Sequence, residues 1–399
     1  MPHLLTFGRD TRVNLLLGSG HFLSHFYQLC LPPVFIAWQQ TFDVSFAELG
    51  LVMAVMSATA ALLQTPMGFL VDRYGARPFL VAGTMLMTSS IGAMGFATTY
   101  WQIVVLALLS GVGNSVFHPA DYAILSGSID PGRLGRSFAF HTFTGNIGFA
   151  AAPPATAALM LLLGWRGALI LVGLLGLPVL AAIVWQSRIL VDQARRPPNR
   201  AAERGAGLLL SRSVLMFFAF FMVTAMAGAG IQSWLITILH QVHGLPLATA
   251  SSALTGYMVG QIGGVLVGGW VADRTARHLP FVVALTIGAA AVLLVSLPEP
   301  ATIGVLFVGG LMTGARNTPR DVMVKDAAPP GQIGKVFGFV SSGMSLGGAI
   351  MPVPYGMIID AGHPELVLVV VAALLLLSLL FAGGARVGFR RAPVPVAAE

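Results

Sequence analysis

Apolar runs of roughly bilayer length, separated by short polar breaks, fill almost the whole chain. A membrane-spanning helix needs roughly 20 predominantly apolar residues. Twelve such segments can be drawn, at 13–40, 47–70, 79–97, 101–126, 136–163, 165–187, 212–240, 248–271, 280–297, 301–325, 333–359 and 364–385. The pattern predicts an all-α integral membrane protein of twelve transmembrane helices, with little chain left for a soluble domain. The first segment is too long for a secretory leader, carries His21, His25 and Pro32, and lacks a small-residue cleavage site, so a retained helix is expected.

Composition agrees with this pattern and narrows the class. Of 399 residues, 56% are hydrophobic and 9% charged, and the mean hydropathy is +0.83, which places the chain among membrane proteins. Its one cysteine, Cys30, excludes an intramolecular disulfide and a thiolate metal cluster. The net charge of +7 is a topology signal, not a nucleic-acid footprint: with the N terminus in the cytoplasm, 19 of the 22 Lys and Arg fall on that side. Only Arg166 falls opposite, while Arg316 and Arg320 lie within a segment. This asymmetry predicts a multi-pass protein of the inner (plasma) membrane with both termini cytoplasmic. The basic loops are also placed to touch anionic lipid. No aromatic-interleaved basic patch points to nucleic acid.

The hydrophilic stretch Ser187–Ser211 falls near mid-chain and reads as a linker, giving a division into 1–187, 188–211 and 212–399. The two flanks repeat one another. GFLVDRYGARP at 68–78 recurs as GGWVADRTARH at 268–278, pairing Asp72-Arg73 with Asp273-Arg274. Pro119 and Asp121 recur as Pro319 and Asp321, and Gly135-Arg136 as Gly334-Lys335, at nearly the same offset. Anchors that share one offset indicate duplication, and paired six-helix bundles around a midplane site are a common transporter plan.

GFLVDRYGARP resembles the signature loop of the major facilitator superfamily, G-x-L-x-D-R-x-G-R-[KR], with Ala76 in place of the usual basic residue and Arg77 retained. GHFLSHFYQLCLPPVF at 20–35, GVGNSVFHPADYAIL at 111–125 and GNIGFAAAPP at 145–154 are similar to the fosmidomycin-resistance branch. The resemblance implies two pseudosymmetric six-helix bundles that rock about a central site. It also implies that Asp72, Arg73 and Arg77 lock the cytoplasmic side in the outward-facing state, with Asp273 and Arg274 as their counterparts. GNIGFAAAPP partly resembles the glycine-proline motif of superfamily antiporters, with Ala152-Pro153 where Gly-Pro is usual, which favours export.

Ionisable residues inside spans are costly and read as functional by default. Asp121 and Asp321 are therefore candidates either for a symmetric latch or for a proton site, and Asp72 is placed to accept amides at a neighbouring helix N terminus. Arg316 and Arg320 are i, i+4 in the tenth segment, where the fourth has Val116 and Ala120. Arg316, beside Asn317, either pairs with Asp321 or binds an anionic substrate group through its planar fork. His21, Ser24, His25 and Gln28 form a polar stripe at helical spacing. With His118 and His141 these histidines are candidates for proton coupling or for packing. Gln232, Tyr257, Gln261, Ser341 and Ser345 are expected to share a cavity with them. Glycine runs at 111–115, 260–269 and 343–348 are expected to let helices approach closely.

GMSLG at 343–347 fits a nucleophile pattern but lies in an apolar segment, so no hydrolase is expected. His21 and His25 have the spacing of a helical metal pair but no evident third ligand, so neither a metal nor a cofactor is expected. The expected function is proton-coupled secondary transport of a small anionic organic solute by a monomer, with drug efflux by proton antiport as the alternative.

Overall fold

The computed structural model describes residues 8–130, 132–192, 209–275, 277–295, 301–328 and 333–384. Most of the expected linker, residues 329–332 and the C-terminal tail lie outside the described residues. Fourteen α-helices account for nearly all of the described chain: α1 (Arg9–Leu29), α2 (Phe35–Phe42), α3 (Phe46–Tyr74), α4 (Ala76–Met94), α5 (Tyr100–Asn114), α6 (Phe117–Ser128), α7 (Leu134–Trp185), α8 (Arg212–His243), α9 (Leu247–Arg274), α10 (His278–Leu293), α11 (Ala301–Ala327), α12 (Ile333–Ile350), α13 (Pro352–Asp360) and α14 (Glu365–Gly384). Each apolar segment drawn from the sequence is predominantly helical where described. By length and hydropathy alone, seven helices among the described residues suffice to cross a bilayer, some of these uniting two of the helices above.

The departures from twelve simple rods have local causes. Pro32 and Pro33 lack the N–H that a helix interior uses, so the first segment divides into α1 and α2 around a 3-10 turn at Pro32–Val34. The fourth segment divides at Ser115–Val116, four and three residues before Pro119, whose ring conflicts with the i−4 carbonyl. Its repeat partner Pro319 lies inside an unbroken α11. Met351 separates α12 from α13, where Pro352 occupies the first turn. The opposite case is α7, where the fifth and sixth segments join through Gly164 alone, at φ 67° and ψ 173°. Ser45 and Glu48 cap the start of α3 reciprocally: the Ser45 side chain accepts from the Glu48 amide at 3.2 Å, and Glu48 accepts from the Ser45 amide at 2.8 Å.

Helices before residue 192 pack chiefly on one another, α1 against α7, α3 against α5, and α4 against α5 and α7. Those after 209 do likewise, α9 against α11, α8 against α12 and α14, and α10 against α11 and α14. The α9–α11 crossing is a glycine ladder, in which Gly310 and Gly314 lie on the Tyr257 and Gln261 carbonyls while Gly260, Gly264 and Gly268 face α11. Gly343 and Gly347 of α12 seat on α8, and Gly111 of α5 on Met56 of α3. Such contacts drive helix association where lipid removes the hydrophobic incentive. GMSLG falls within α12, far from a strand-turn-helix setting.

The two groups meet unevenly. α3 packs on α12 and α13, and α7 on α9. At the end holding Asp43, the Asp360 carboxylate accepts hydrogen bonds from the Phe46 and Ala47 amides, both at 2.8 Å. There Trp234 packs against Phe35 and Phe46 and donates its indole N–H to the Pro352 carbonyl at 3.0 Å. One apolar core runs through both groups, whereas a second, around Phe217, Phe220 and Val340, belongs to the later group alone. Among the described residues, hydrogen bonds between the groups come from the Asp43 end and from Thr255, which donates to the Ala150 carbonyl at 2.9 Å. The groups are therefore tied by main-chain and aromatic contacts at the Asp43 end. Exposed apolar side chains such as Leu62, Leu162, Leu266 and Leu380 cover the outer surface, as a lipid-facing surface requires.

Candidate functional site

A cavity of about 380 Å³, within the range of small-molecule pockets, lies between the two groups of helices. The earlier group supplies His25 and Gln28 from α1, Gln64 from α3, Asn114 from α5 and His118 from α6. The later group supplies Gln232 from α8, Tyr257 and Gln261 from α9, and Arg316, Asn317 and Arg320 from α11, with Ser345 from α12. Polar positions scattered over the sequence thus share one space. Ser341 does not reach the cavity; it accepts a weak hydrogen bond from Ser345 at 3.5 Å.

Arg316 is the cavity's distinctive group. It is 3% exposed, and its Nε and Nη1 have no hydrogen-bond partner. The acid nearest in sequence, Asp321, is held by Arg320, with Nη2 to Oδ1 at 2.8 Å and Nε to Oδ1 at 3.0 Å. Arg320 also stacks over Phe221 at 4.0 Å. A structural pair between Arg316 and Asp321, one of the two readings of the sequence, is not formed. Removing an ion from water costs several kcal/mol even after relaxation, and this guanidinium meets the Phe220 ring at 5.9 Å but no carboxylate, so it can take a further partner from the cavity. Tyr257, donating to Thr313 at 3.1 Å, packs beside it and stiffens the wall.

His25 and His118 line the opposite wall, whereas His21 and His141, also expected in the cavity, lie behind them and do not line it. The His21 ring stacks on His141 with centroids 3.7 Å apart, and lies 4.4 Å from His25 and 5.4 Å from His118. Asp121 is fully buried, with Oδ2 3.6 Å from Nε2 of His141. The repeat-related Asp321 is instead 43% exposed and ion-paired, so the two aspartates occupy unlike environments and do not meet.

The signature residues lie away from the cavity, at the end carrying the basic loops. Asp72 is exposed and accepts no amide among the described residues. The role expected of it belongs to Asp192, which accepts the Ala76 amide at the start of α4, next to Gly75 at φ 91°. Arg77 donates to the Leu190 carbonyl, Ser128 bonds Val191, and Arg12 bonds Gln186, so residues 186–192 are docked on the earlier group although 188–192 read as linker. Arg73 lies over Tyr74, and Arg274 over Trp270. Asp273 makes no ion pair among the described residues. Sequence reasoning missed Asp192, Asp360 and Trp234; each acts on or beside a main-chain group, and no motif announces that.

A family model described as the Major Facilitator Superfamily matches residues 17–294 and 239–397. The fosmidomycin resistance protein of Escherichia coli (strain K12) is 26% identical over 383 residues, 91% of this chain and 90% of that one. A probable L-galactonate transporter of the same organism is 28% identical over 176 residues, 44% of this chain and only 38% of that one. Among solved structures, a bacterial homologue of the human lysosomal transporter Spinster, in an inward-facing and occupied conformation, superposes with a TM-score of 0.80 at 16% identity, covering 96% of this chain and 99% of that one. The duplicated signature loop, the helical bundle around a central cavity and the match of the family model together show that this chain is a multi-pass membrane protein belonging to the Major Facilitator Superfamily of transporters.

Proposed function

We propose that this protein moves a small anionic organic solute across the inner membrane as a monomer, by alternating access between two six-helix bundles and coupled to the proton gradient. One observation carries the reading: Arg316 is buried, unpaired and on the cavity wall. A guanidinium fork matches carboxylate or phosphonate in two parallel hydrogen bonds. The amides of Asn317, Gln232 and Gln261, on the same wall, suit further polar groups on the solute. The L-galactonate assignment of one partial relative is in keeping with an acidic cargo. Taking the basic end as cytoplasmic, the sealed Asp43 end faces outward and the arrangement is inward-open. Asp72, Arg73, Arg77, Asp273 and Arg274 are then released from the contacts that close the inner side in the alternate state.

The test is uptake of labelled organic anions into proteoliposomes under an imposed pH gradient. Saturable, gradient-dependent flux that falls when Arg316 is replaced by Ala supports the reading. Unchanged affinity of Arg316→Ala for every anion transported removes it. The full-length likeness to the fosmidomycin resistance protein favours a second reading, drug efflux by proton antiport. It predicts lower drug accumulation in expressing cells, with an Arg316→Ala variant that still exports.

A further inference from the structure

Four imidazoles and a carboxylate lie behind the earlier group's wall, and holding an anion at Arg316 does not explain them. His21 of α1, His118 of α6 and His141 of α7 each bring one ring nitrogen within 4.8 Å of the other two, with the His21 and His141 rings stacked at 16°. Asp121 is three residues beyond His118 on the same helix, 0% exposed, with Oδ2 3.6 Å from Nε2 of His141. Spacing along the chain shows only the His21–His25 pair; the fold adds His118 and His141 from two other helices to His21 and leaves His25 out of the group.

The local bonding has the form of a ligand shell. Nδ1 of His21 sits 2.8 Å from the His141 carbonyl oxygen, and by donating its proton there it leaves Nε2 as a free lone pair. A histidine fixed in this way through a backbone carbonyl is oriented as metal ligands are. Nε2 of His21, Nδ1 of His118, both ring nitrogens of His141 and both Asp121 oxygens are buried without hydrogen-bond partners. Gly145 of α7 makes room for the shell, since a Cβ there would meet the His21 ring at 2.6 Å.

Three imidazoles gathered beside one buried carboxylate suit a cation of higher charge than a proton. A divalent cation takes a lone pair from each imidazole once the His21 and His141 rings unstack, with Asp121 orienting His141 as an outer carboxylate. Three imidazole nitrogens with one open position and no thiolate suit zinc and its neighbours, whereas magnesium and calcium prefer oxygen shells.

We propose that His21, His118 and His141, backed by Asp121 beside His141, form a binding site for a divalent late first-row transition metal, zinc foremost, reached from the cavity past His118. Occupancy ties α1, α6 and α7 together. The proposal is independent of the anion reading, because binding is measured without any solute.

The experiment titrates zinc chloride into the detergent-purified, tag-free full-length protein, followed by calorimetry and thermal unfolding. The expected result is about one zinc per chain and a saturable rise in Tm, with none from magnesium chloride. His141→Ala and His118→Asn are each expected to weaken binding by more than about tenfold, while His25→Ala keeps it. Cobalt(II) is expected to give the visible bands of a tetrahedral site in the wild type and in His25→Ala but not in His141→Ala. Size-exclusion chromatography separates a lost site from a lost fold. Absence of saturable zinc binding, or binding that survives in both His141→Ala and His118→Asn, overturns the proposal.

Discussion

Arg316 shows how much a single side chain depends on its neighbour's choice of partner. Its Nε and Nη1 are unsatisfied because Asp321 is committed to Arg320. Replacing Arg316 with Ala removes hydrogen bonds to a charged group, worth about 1.5 to 3 kcal/mol, so solute affinity is expected to fall roughly ten- to a hundredfold. Arg316→Lys keeps the charge without the fork and is expected to fall between the two; equilibrium binding of the transported anion to purified variants measures both. The sequence marks Arg316 and Arg320 as unusual by placing two cations in an apolar segment, but it does not say which of them Asp321 takes. Side-chain direction settles that, and spacing does not encode it. For the histidines, by contrast, the stripe on the first helix was legible, while its meeting with His118 and His141 depends on how three helices pack.

At the scale of elements, the sequence was most informative, because hydropathy and backbone chemistry act locally. The break between the fifth and sixth segments falls on Gly164, whose φ of 67° and ψ of 173° only glycine adopts readily. Gly164→Val is expected to cost about 1 to 3 kcal/mol, read as a lower Tm of the detergent-solubilised protein. Gly310→Val should be worse, because its side chain would overlap the Tyr257 carbonyl and force α9 from α11. If Gly310→Val melts no lower than Gly164→Val, the close approach of these helices is not what holds the later group together. The divisions at Pro32, Pro119 and Pro352 were within reach of the same rules, since each follows from a missing donor or an i−4 clash. That Pro319 leaves α11 whole while Pro119 divides its helix shows that packing, not the residue alone, decides.

For the whole molecule, the seal at the Asp43 end was not legible, because Asp360 binds main-chain amides that every sequence possesses. A carboxylate on two amides at a helix N terminus also benefits from the dipole, for up to about 2 kcal/mol. Asp360→Ala is therefore expected to shift the population away from the arrangement sealed at that end. Nitroxide labels at Thr41 and His363, both exposed on opposite sides of the seal, should move apart in this variant. The one native thiol, Cys30, is buried and does not interfere. An unchanged distance distribution would show that the aromatic packing around Trp234 suffices. Orientation is tested separately: reporter fusions to the two ends should both report cytoplasm, as the charge asymmetry requires.

The cavity's two arginines share one helix, α11. In the proposed alternating-access cycle, a bound anion would not be divided between the bundles but would stay on the side that carries the charge. Opening the gate would then expose the cargo without freeing it, and departure would wait for water and counter-ions to compete for Arg316. Unloading should quicken as salt rises on the receiving side, and the slow stage of turnover would then be the breaking of an ionic hold, with the swing of the bundles ahead of it.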